Sequence, residues 1–347
     1  LFAREGGVGV VTEGELDELL STPRVETIEA LRASPGDIVV LGAGGKMGPT
    51  VARMAARAAN LIGDGRRVFA VSRFSVPEGR AALGAAGVET IVCDLLDRDA
   101  VAQLPDAPNV IFMAGQKFGT SDAPATTWAM NTIVPAICAE RYRAAHIVAF
   151  STGNVYPLTA IDAGGARETD SVKPIGEYAI SALGRERVLE FYSERYRTPV
   201  AIVRLNYAID LRYGVLADIA QRVWHDQPVP LAMGHVNVIW QGDASRIAIE
   251  SLAHASAPPF VVNVTGNETL SVRTIAESFG RAFGKSVRFK GSPRAKALLS
   301  NVDRMRRTFS PPEVDVETMI GWVAEWIRDG GRSLGKPTHF EERTGTF

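Results

Sequence analysis

The chain has 347 residues, 46% hydrophobic and 22% charged, an ordinary balance for a globular protein with a sizeable core. Its 38 basic and 39 acidic residues nearly cancel, which argues against nucleic acid or an anionic membrane as partner. No apolar run reaches the roughly 18 residues of a membrane span. The 2 cysteines, Cys93 and Cys138, lie in apolar segments without metal-ligand spacing. They read as reduced and buried, and no metal site is expected. Arg4, Glu5 and nearby glycines stand where a signal peptide would have its apolar core, so a cytoplasmic protein is the default expectation.

Residues 12–33 read as helical: Leu16, Leu19 and Leu20 share a face, and Val25, Ile28 and Leu31 repeat the spacing after Pro23. This N-terminal extension, 1–35, is expected to pack over the domain that begins with the first strand. From Asp37 strand and helix patterns alternate. Apolar runs at 37–41, 67–71, 88–92, 109–113, 146–150 and 200–204 are separated by helical patterns at 49–61, 78–86, 97–104, 124–143 and 176–197. Continuous apolar strands with intervening helices predict an α/β fold, a doubly wound parallel sheet of the Rossmann type over 36–205. Residues 206–347 read as a smaller, mainly substrate-binding part, with 243–283 returning to the first domain. Helices are expected at 214–225, 243–255, 271–283 and 315–328, strands at 236–240, 260–264 and 287–289, and coil from Gly330 onward.

Three stretches offer chemistry. The first is Gly42-Ala43-Gly44-Gly45-Lys46-Met47-Gly48, between the first strand and its helix. Glycines at 42, 45 and 48 permit a tight turn, close approach of a pyrophosphate and close packing of the helix; Gly42, Gly44 and Gly45 form an overlapping set. The second is the end of the second strand, Ser72-Arg73. No carboxylate stands there to repel a 2′-phosphate, and Arg73 offers a guanidinium to grip one, which favours NADP(H) and leaves NAD(H) open. Asp94, after the third strand, suits an adenine amino group or the cap of a helix. The third is Ser151-Thr152 at the end of the fifth strand, with Tyr178 opening a helix downstream and Asn131 upstream.

These residues resemble the extended short-chain dehydrogenase/reductases, the NAD(P)-dependent epimerase/dehydratase group. The resemblance is carried by Gly42-x-x-Gly45-x-x-Gly48, Asp94, Asn131, Ser151-Thr152-x-x-x-Tyr156, Tyr178 and Arg204-x-Asn206-Tyr207. Trp240-Gln241-Gly242-Asp243-Ala244 and Asn263-Val264-Thr265-Gly266 add to it, and it covers about 36–330. The N-terminal extension and Lys336-Pro337-Thr338-His339-Phe340 lie outside the usual pattern. The resemblance implies Thr152 as the active-site hydroxyl and Tyr178 as the acid/base. It implies a dinucleotide site of Gly42, Gly45, Lys46, Met47, Gly48, Ser72, Arg73, Asp94, Leu95, Ala114, Gly115, Asn131, Ser151 and Tyr178. It also implies hydride transfer on a sugar or sugar-like hydroxy/keto compound, and a homodimer built on helices 124–143 and 176–197.

One departure is weighty. The family places a Lys four residues after the Tyr, holding the nicotinamide ribose and lowering the Tyr pKa; here that position is Ala182. A free phenol has a pKa of about 10, so unaided it is almost wholly neutral at pH 7. Lys117, after the fourth strand, is the preferred substitute; Arg185, seven residues after Tyr178, is another. A non-redox lyase or isomerase using the same cleft, and a redox-silent dinucleotide sensor or scaffold, stay open. Glu177 reads as a helix-start carboxylate and Glu168 as exposed. Arg212 is either a substrate-anion ligand or a surface charge. His225, His235, Trp322 and Trp326 read as structural.

Overall fold

The strand Ile38–Leu41 (β1) is apolar at every position because both its faces are covered. Ile38 and Val40 point into one core, Val39 and Leu41 into another. This computed structural model describes residues 12–75, 77–117, 119, 122–336 and 338–346; the readings placed on Arg4, Glu5 and Pro337 fall outside that set. Six further strands join β1: Val68–Ser72 (β2), Glu89–Val92 (β3), Asn109–Phe112 (β4), His146–Thr152 (β5), Val200–Leu205 (β6) and Phe260–Val264 (β7). The sheet order is β7-β6-β5-β4-β1-β2-β3, and every pairing is parallel. The chain leaves β1 for β2 on one side and returns to β4 on the other. That reversal opens a crevice at the carboxyl ends of β1 and β4, the place where open α/β sheets hold ligands.

Two helices precede the sheet, Glu13–Ser21 (α1) and Val25–Ala33 (α2). Thr12 and Glu15 form a reciprocal cap on α1, and the chain breaks around Pro23. Leu16 and Leu20 enter the core of the second half, whereas Leu31 enters the core beneath the sheet. Thr27 donates to Glu250 at 2.9 Å in the interior, and Arg53 pairs with Asp17 at 2.7 Å. The extension thus staples both halves of the chain.

After β1 comes Gly48–Ile62 (α3), with a proline in its first turn and Gly63 in the left-handed conformation at its end. Its many buried alanines let it lie close to the sheet. Pro77–Ala85 (α4) and Arg98–Ala102 (α5) follow β2 and β3. The helix expected over 124–143 is three pieces, Pro124–Trp128 (α6), a π-helical turn at Ala129–Ile133, and Val134–Arg141 (α7). Such a turn inserts an extra residue into the helix and is frequent at functional sites. Asn131 lies within it and is fully buried. Gly176–Tyr196 (α8) is the longest helix described.

Beyond β6, Val215–Trp224 (α9), Val272–Phe283 (α11) and Val316–Arg328 (α13) enclose a second core. Gln241–Glu250 (α10) packs instead on α2 and α3, and β7 extends the main sheet. The segment 243–283 therefore divides, with α10 and β7 at the sheet and α11 in the second core. The strand expected over 236–240 is broken in two. His235–Val236 pairs with Leu270–Ser271, whereas Ile239–Trp240 pairs with Ala208–Ile209. Asp303–Thr308 (α12) is a short helix with no clear periodic signal. Among the described residues no helix is long and apolar enough to cross a membrane.

Candidate active site

At Gly42, Gly44 and Gly48 the glycine turn leaves no room for a side chain. Gly42 has φ +88°, and a Cβ there would lie 2.5 Å from the Ala114 amide nitrogen. At Gly48 a Cβ would overlap the Ala43 carbonyl, and at Gly44 it would lie 2.5 Å from Ser72 Oγ. Gly45 meets only its own turn, at 3.4 Å, and is exposed. Residues 42–45 of the turn and Pro49 in the first turn of α3 line a cleft of about 290 Å³. Ser72 and Arg73 border one end, Asp94 and Leu95 the side, and Ala114 and Gly115 the end nearest β5. Arg73 and Asp94 are exposed. Asp94 accepts the Leu96 amide at 3.0 Å, and the cap of α5 falls to Asp97. Asp94 is thus a cleft-wall carboxylate that is not spent on capping the helix. A tight glycine turn at a helix N-terminus, a guanidinium at the rim and an acidic side wall suit a dinucleotide.

Beside the cleft, the Thr152 hydroxyl lies close enough to the Tyr178 phenol to favour its ionised form. Thr152 ends β5, where its Oγ1 also accepts the Asn154 amide at 3.2 Å. Tyr178 stands in the first turn of α8, which Gly176 enters at φ +83°. Burial pushes the Tyr178 phenol above its ordinary pKa; the Thr152 hydrogen bond and the charge of Arg185 oppose it. Ala182 is fully buried one turn on, and a cation does approach from the same helix. Arg185 donates to the Phe150 carbonyl at 2.7 Å and to Asn131 Oδ1 at 2.6 Å, and a Cβ at Gly115 would overlap it. Lys117 also approaches, its ammonium 5.8 Å from the centre of the Tyr178 ring. Both cations named from the sequence therefore converge on Tyr178.

Asn131 holds this arrangement together. Its Oδ1 accepts from the Gln116 amide at 3.0 Å as well as from Arg185. Its Nδ2 donates to the Gln116 carbonyl at 3.0 Å and to Ser181 at 2.9 Å. An amide has two donors and two acceptor sites, and all four are engaged with protein. Ser151 likewise donates to Glu186, at 2.5 Å. Glu186 pairs with Arg204 at 2.6 Å, Arg204 donates to Tyr156 at 2.7 Å, and Tyr156 donates to Asn263 at 2.9 Å. This buried chain joins β5, α8, β6 and β7. Spacing alone does not reveal it, because Glu186, Arg204 and Asn263 are 18 residues or more apart in sequence.

Lys46 follows Gly45 in the turn, yet it is absent from the wall of the dinucleotide cleft. Its ammonium lies over the Tyr213 ring, 3.1 Å from the centre. Burial is the main cause that lowers its pKa to about 7, helped by Lys117 and Lys336 and opposed by Asp218. Burial likewise lowers Lys117 to about 8, again with Asp218 opposing. Asp218, on α9, is itself raised by burial and accepts both the amide and the hydroxyl of Thr338. It gives no sequence signal beyond being one polar position on an amphipathic helix.

Other named residues lie elsewhere. Arg212 is tied to Asp210 at 2.8 Å and to Asp17 of α1 at 3.0 Å, so its guanidinium is committed to ion pairs within the fold. Glu168 is half-buried and accepts the Asn263 amide at 2.9 Å, unlike the exposed group expected. Glu177 accepts the Trp128 indole N–H at 2.5 Å. Trp326 is buried, and Trp322 meets Trp240 edge-on. Both cysteines are buried and free. Among the described residues no group of three or more His, Cys, Asp or Glu side chains is placed to hold a metal.

Residues 38–209 match the model of the NAD dependent epimerase/dehydratase family, and this segment holds the glycine turn, Thr152 and Tyr178. Over the part that builds the site the chain is therefore similar to that family. In fold it is similar to the UDP-glucose 4-epimerase of Thermotoga maritima solved with UDP-glucose: TM-score 0.69, 19% identity, 85% of this chain and 99% of that one covered. It is similar also to the UDP-glucose 4-epimerase of Thermus thermophilus solved with NAD, with TM-score 0.67 and 21% identity over 84% of this chain and 99% of that one. A third likeness is to an epimerase of Methanothermobacter thermautotrophicus, with TM-score 0.72 and 17% identity over 88% and 96% of the two chains. Sequence comparison with curated proteins finds no significant match.

The depressed Lys46 pKa has a consequence for stability. Between about 7 in the folded state and the ordinary 10.5, the unfolded chain holds the proton more often. Stability from this group therefore rises with pH through that window. The groups facing it are Lys117, Lys336, Asp218 and Tyr213. Urea midpoints measured from pH 7 to 10 should rise less steeply in Lys46→Met than in the parent. Parallel curves for the two proteins would mean that the ammonium is not buried.

Proposed function

We propose that the chain is an NADP(H)-dependent oxidoreductase or epimerase acting on a sugar or sugar-like hydroxy/keto compound. The observation that carries this reading is the placing of Tyr178 beside Thr152, Arg185 and Lys117, next to the glycine turn. The turn's amides and the N-terminus of α3 hold the pyrophosphate, Asp94 the adenine side, and Arg73 a 2′-phosphate. The bound nicotinamide supplies the hydride donor or acceptor. Tyr178 moves the proton of the reacting hydroxyl or carbonyl oxygen, and Thr152 orients that oxygen. Arg185 takes over the charge that Ala182 cannot provide, and Lys117 adds to it. A phenol raised by burial is neutral at pH 7, which suits it to giving a proton to a carbonyl. The fold neighbours solved with UDP-glucose and with NAD support a carbohydrate-type substrate and a nicotinamide cofactor.

We also propose a homodimer. Ile180 and Phe191, eleven residues apart on α8 and so on one face, are 40% and 56% exposed. Trp128 and Ile133 on the neighbouring segment are exposed as well. Such an apolar surface on paired helices fits a second copy of the same chain.

Three measurements check this reading. With a substrate drawn from a panel of sugars and keto-sugars, Tyr178→Phe should lower kcat by about 10²–10⁴ while leaving NADPH binding in place. Turnover that survives the change would remove Tyr178 from the chemistry and favour a non-redox reaction. Arg73→Ala should weaken NADPH binding at least about tenfold, the cost of one charge-assisted phosphate contact, and leave NADH nearly unchanged. Equal affinity of the parent for both cofactors would sink the Arg73 assignment. Sedimentation should show a dimer that Phe191→Lys dissociates; a monomeric parent refutes the dimer.

A further inference from the structure

The helix that carries Tyr178 starts without a capping side chain. Ile175 holds the N-cap place of α8, and its side chain accepts none of the amides there. The first turn of a helix lacks internal partners for its amides, so an uncapped one frays readily. The tethers at Arg185 and Glu186 lie further along, roughly 10 Å beyond Tyr178 on the helix axis. Closer in, Trp128 donates to Glu177 on the exposed side, and Ser181 donates to the Tyr178 carbonyl at 3.0 Å. The entering backbone itself is met by a distant part of the chain, residues 338–346.

That segment is anchored in the second half of the molecule. The Thr338 amide donates to Asp218 on α9 at 2.7 Å, and Phe340 is fully buried in the second core. Arg343 donates to the carbonyls of Ala232 at 3.0 Å and Lys296 at 2.8 Å. The Glu342 carboxylate accepts the amides of Arg343 and Thr344, which turns the chain toward α8. Gly345 then lies backbone against backbone on Ile175 and Gly176. A Cβ on Gly345 would overlap the Ile175 carbonyl, and a Cβ on Gly176 would overlap the Gly345 carbonyl. Both residues are in the left-handed region, at φ +82° and +83°. Glycine alone meets the two demands together, a positive φ and no room for a side chain.

We propose that Gly345 is a positioning residue for the acid/base: its contact with Gly176 sets the first turn of α8, and so the place of the Tyr178 phenol beside Thr152. This deepens the oxidoreductase reading and rests on it for the role of Tyr178. Arg185 and Glu186 hold α8 at its middle, and the backbone of Gly345 fixes the end from which Tyr178 projects. Two backbones in contact cannot tilt toward each other without overlap, whereas a side chain between them could change rotamer and give. Displacing a reacting group by about 1 Å can lower a rate about 10²-fold, so the contact acts on the chemical step. None of residues 338–346 lines the dinucleotide cleft, so cofactor binding is independent of it. The segment also lies outside residues 38–209, so the part of the chain that matches the family does not supply this brace.

Two variants of the full chain test this. Gly345→Val forces a side chain into the contact, and a chain ending at Thr344 removes the contact while keeping Thr338, Phe340 and Arg343. With a substrate that the parent turns over, each should lower kcat about tenfold or more and leave NADPH affinity within about twofold. Hydrogen exchange should quicken over residues 176–183 and stay at the parent's rate over 38–62 and 109–117, which border the cofactor. An unchanged kcat in both variants overturns the proposal. So does a loss of kcat matched by an equal loss of NADPH affinity and of protection around the cleft, because that pattern is general destabilisation. If the parent turns over no sugar or keto-sugar, the oxidoreductase reading fails, and exchange decides the contact separately. Faster exchange confined to 176–183 then upholds the brace, and unchanged exchange there refutes it.

Discussion

Two neighbouring residues on one turn of α8, Arg185 and Glu186, fasten that helix to the sheet. Arg185 reaches the carbonyl at the end of β5 and the Asn131 amide; Glu186 reaches Ser151 and Arg204. All of these groups are buried. Removing one partner of such a buried pair typically costs about 3–5 kcal/mol, because the other charge is left without compensation. The first turn of α8 inherits its position from these contacts. Tyr178 meets Thr152 because Arg185 and Glu186 set how far the helix sits from the strand.

The same contacts bring positive charge toward Tyr178 although position 182 is an alanine. A lysine on a flexible stem is one way to bring such charge under a tyrosine. Arg185 is a turn further along, and its longer planar fork covers the distance while bonding to fixed acceptors. It needs a gap to do so, and Gly115 leaves one. The π-helical turn supplies the other half by pushing Asn131 inward to receive the guanidinium. Arg185, Gly115 and Asn131 are thus one device made from three distant parts of the chain.

The N-terminal extension and the C-terminal residues 331–336 and 338–346 form an outer layer around this core. The extension binds both cores through Leu16, Leu31 and Thr27, and the C-terminal residues tie the second core to the start of α8 through Thr338, Phe340 and Gly345. Segments that bridge two packed bodies restrict how those bodies move apart. Arg212 belongs to this outer layer: its ties to Asp210 and Asp17 fix α1 beside the segment that succeeds β6.

Local pattern made much of the molecule legible. Each strand of the sheet lies within a residue or two of its apolar run, because a strand covered on both faces needs apolar residues at every position; the edge strand β3 departs from this and is partly exposed. Gly42 and Gly48 are glycine for reasons of space that any strand–turn–helix with this packing imposes. Thr152 and Tyr178 could be named from their places at a strand end and a helix start. What sequence could not decide was direction and distance. Lys46 looks like part of the phosphate turn, yet its side chain leaves the cleft for Tyr213. Asp94 suits a helix cap by its place in the sequence, yet the path of the backbone gives the cap to Asp97. Arg212 looks available to a ligand until α1 folds back to neutralise it. These outcomes depend on which distant surfaces meet, and neither propensity nor spacing along one segment carries that information.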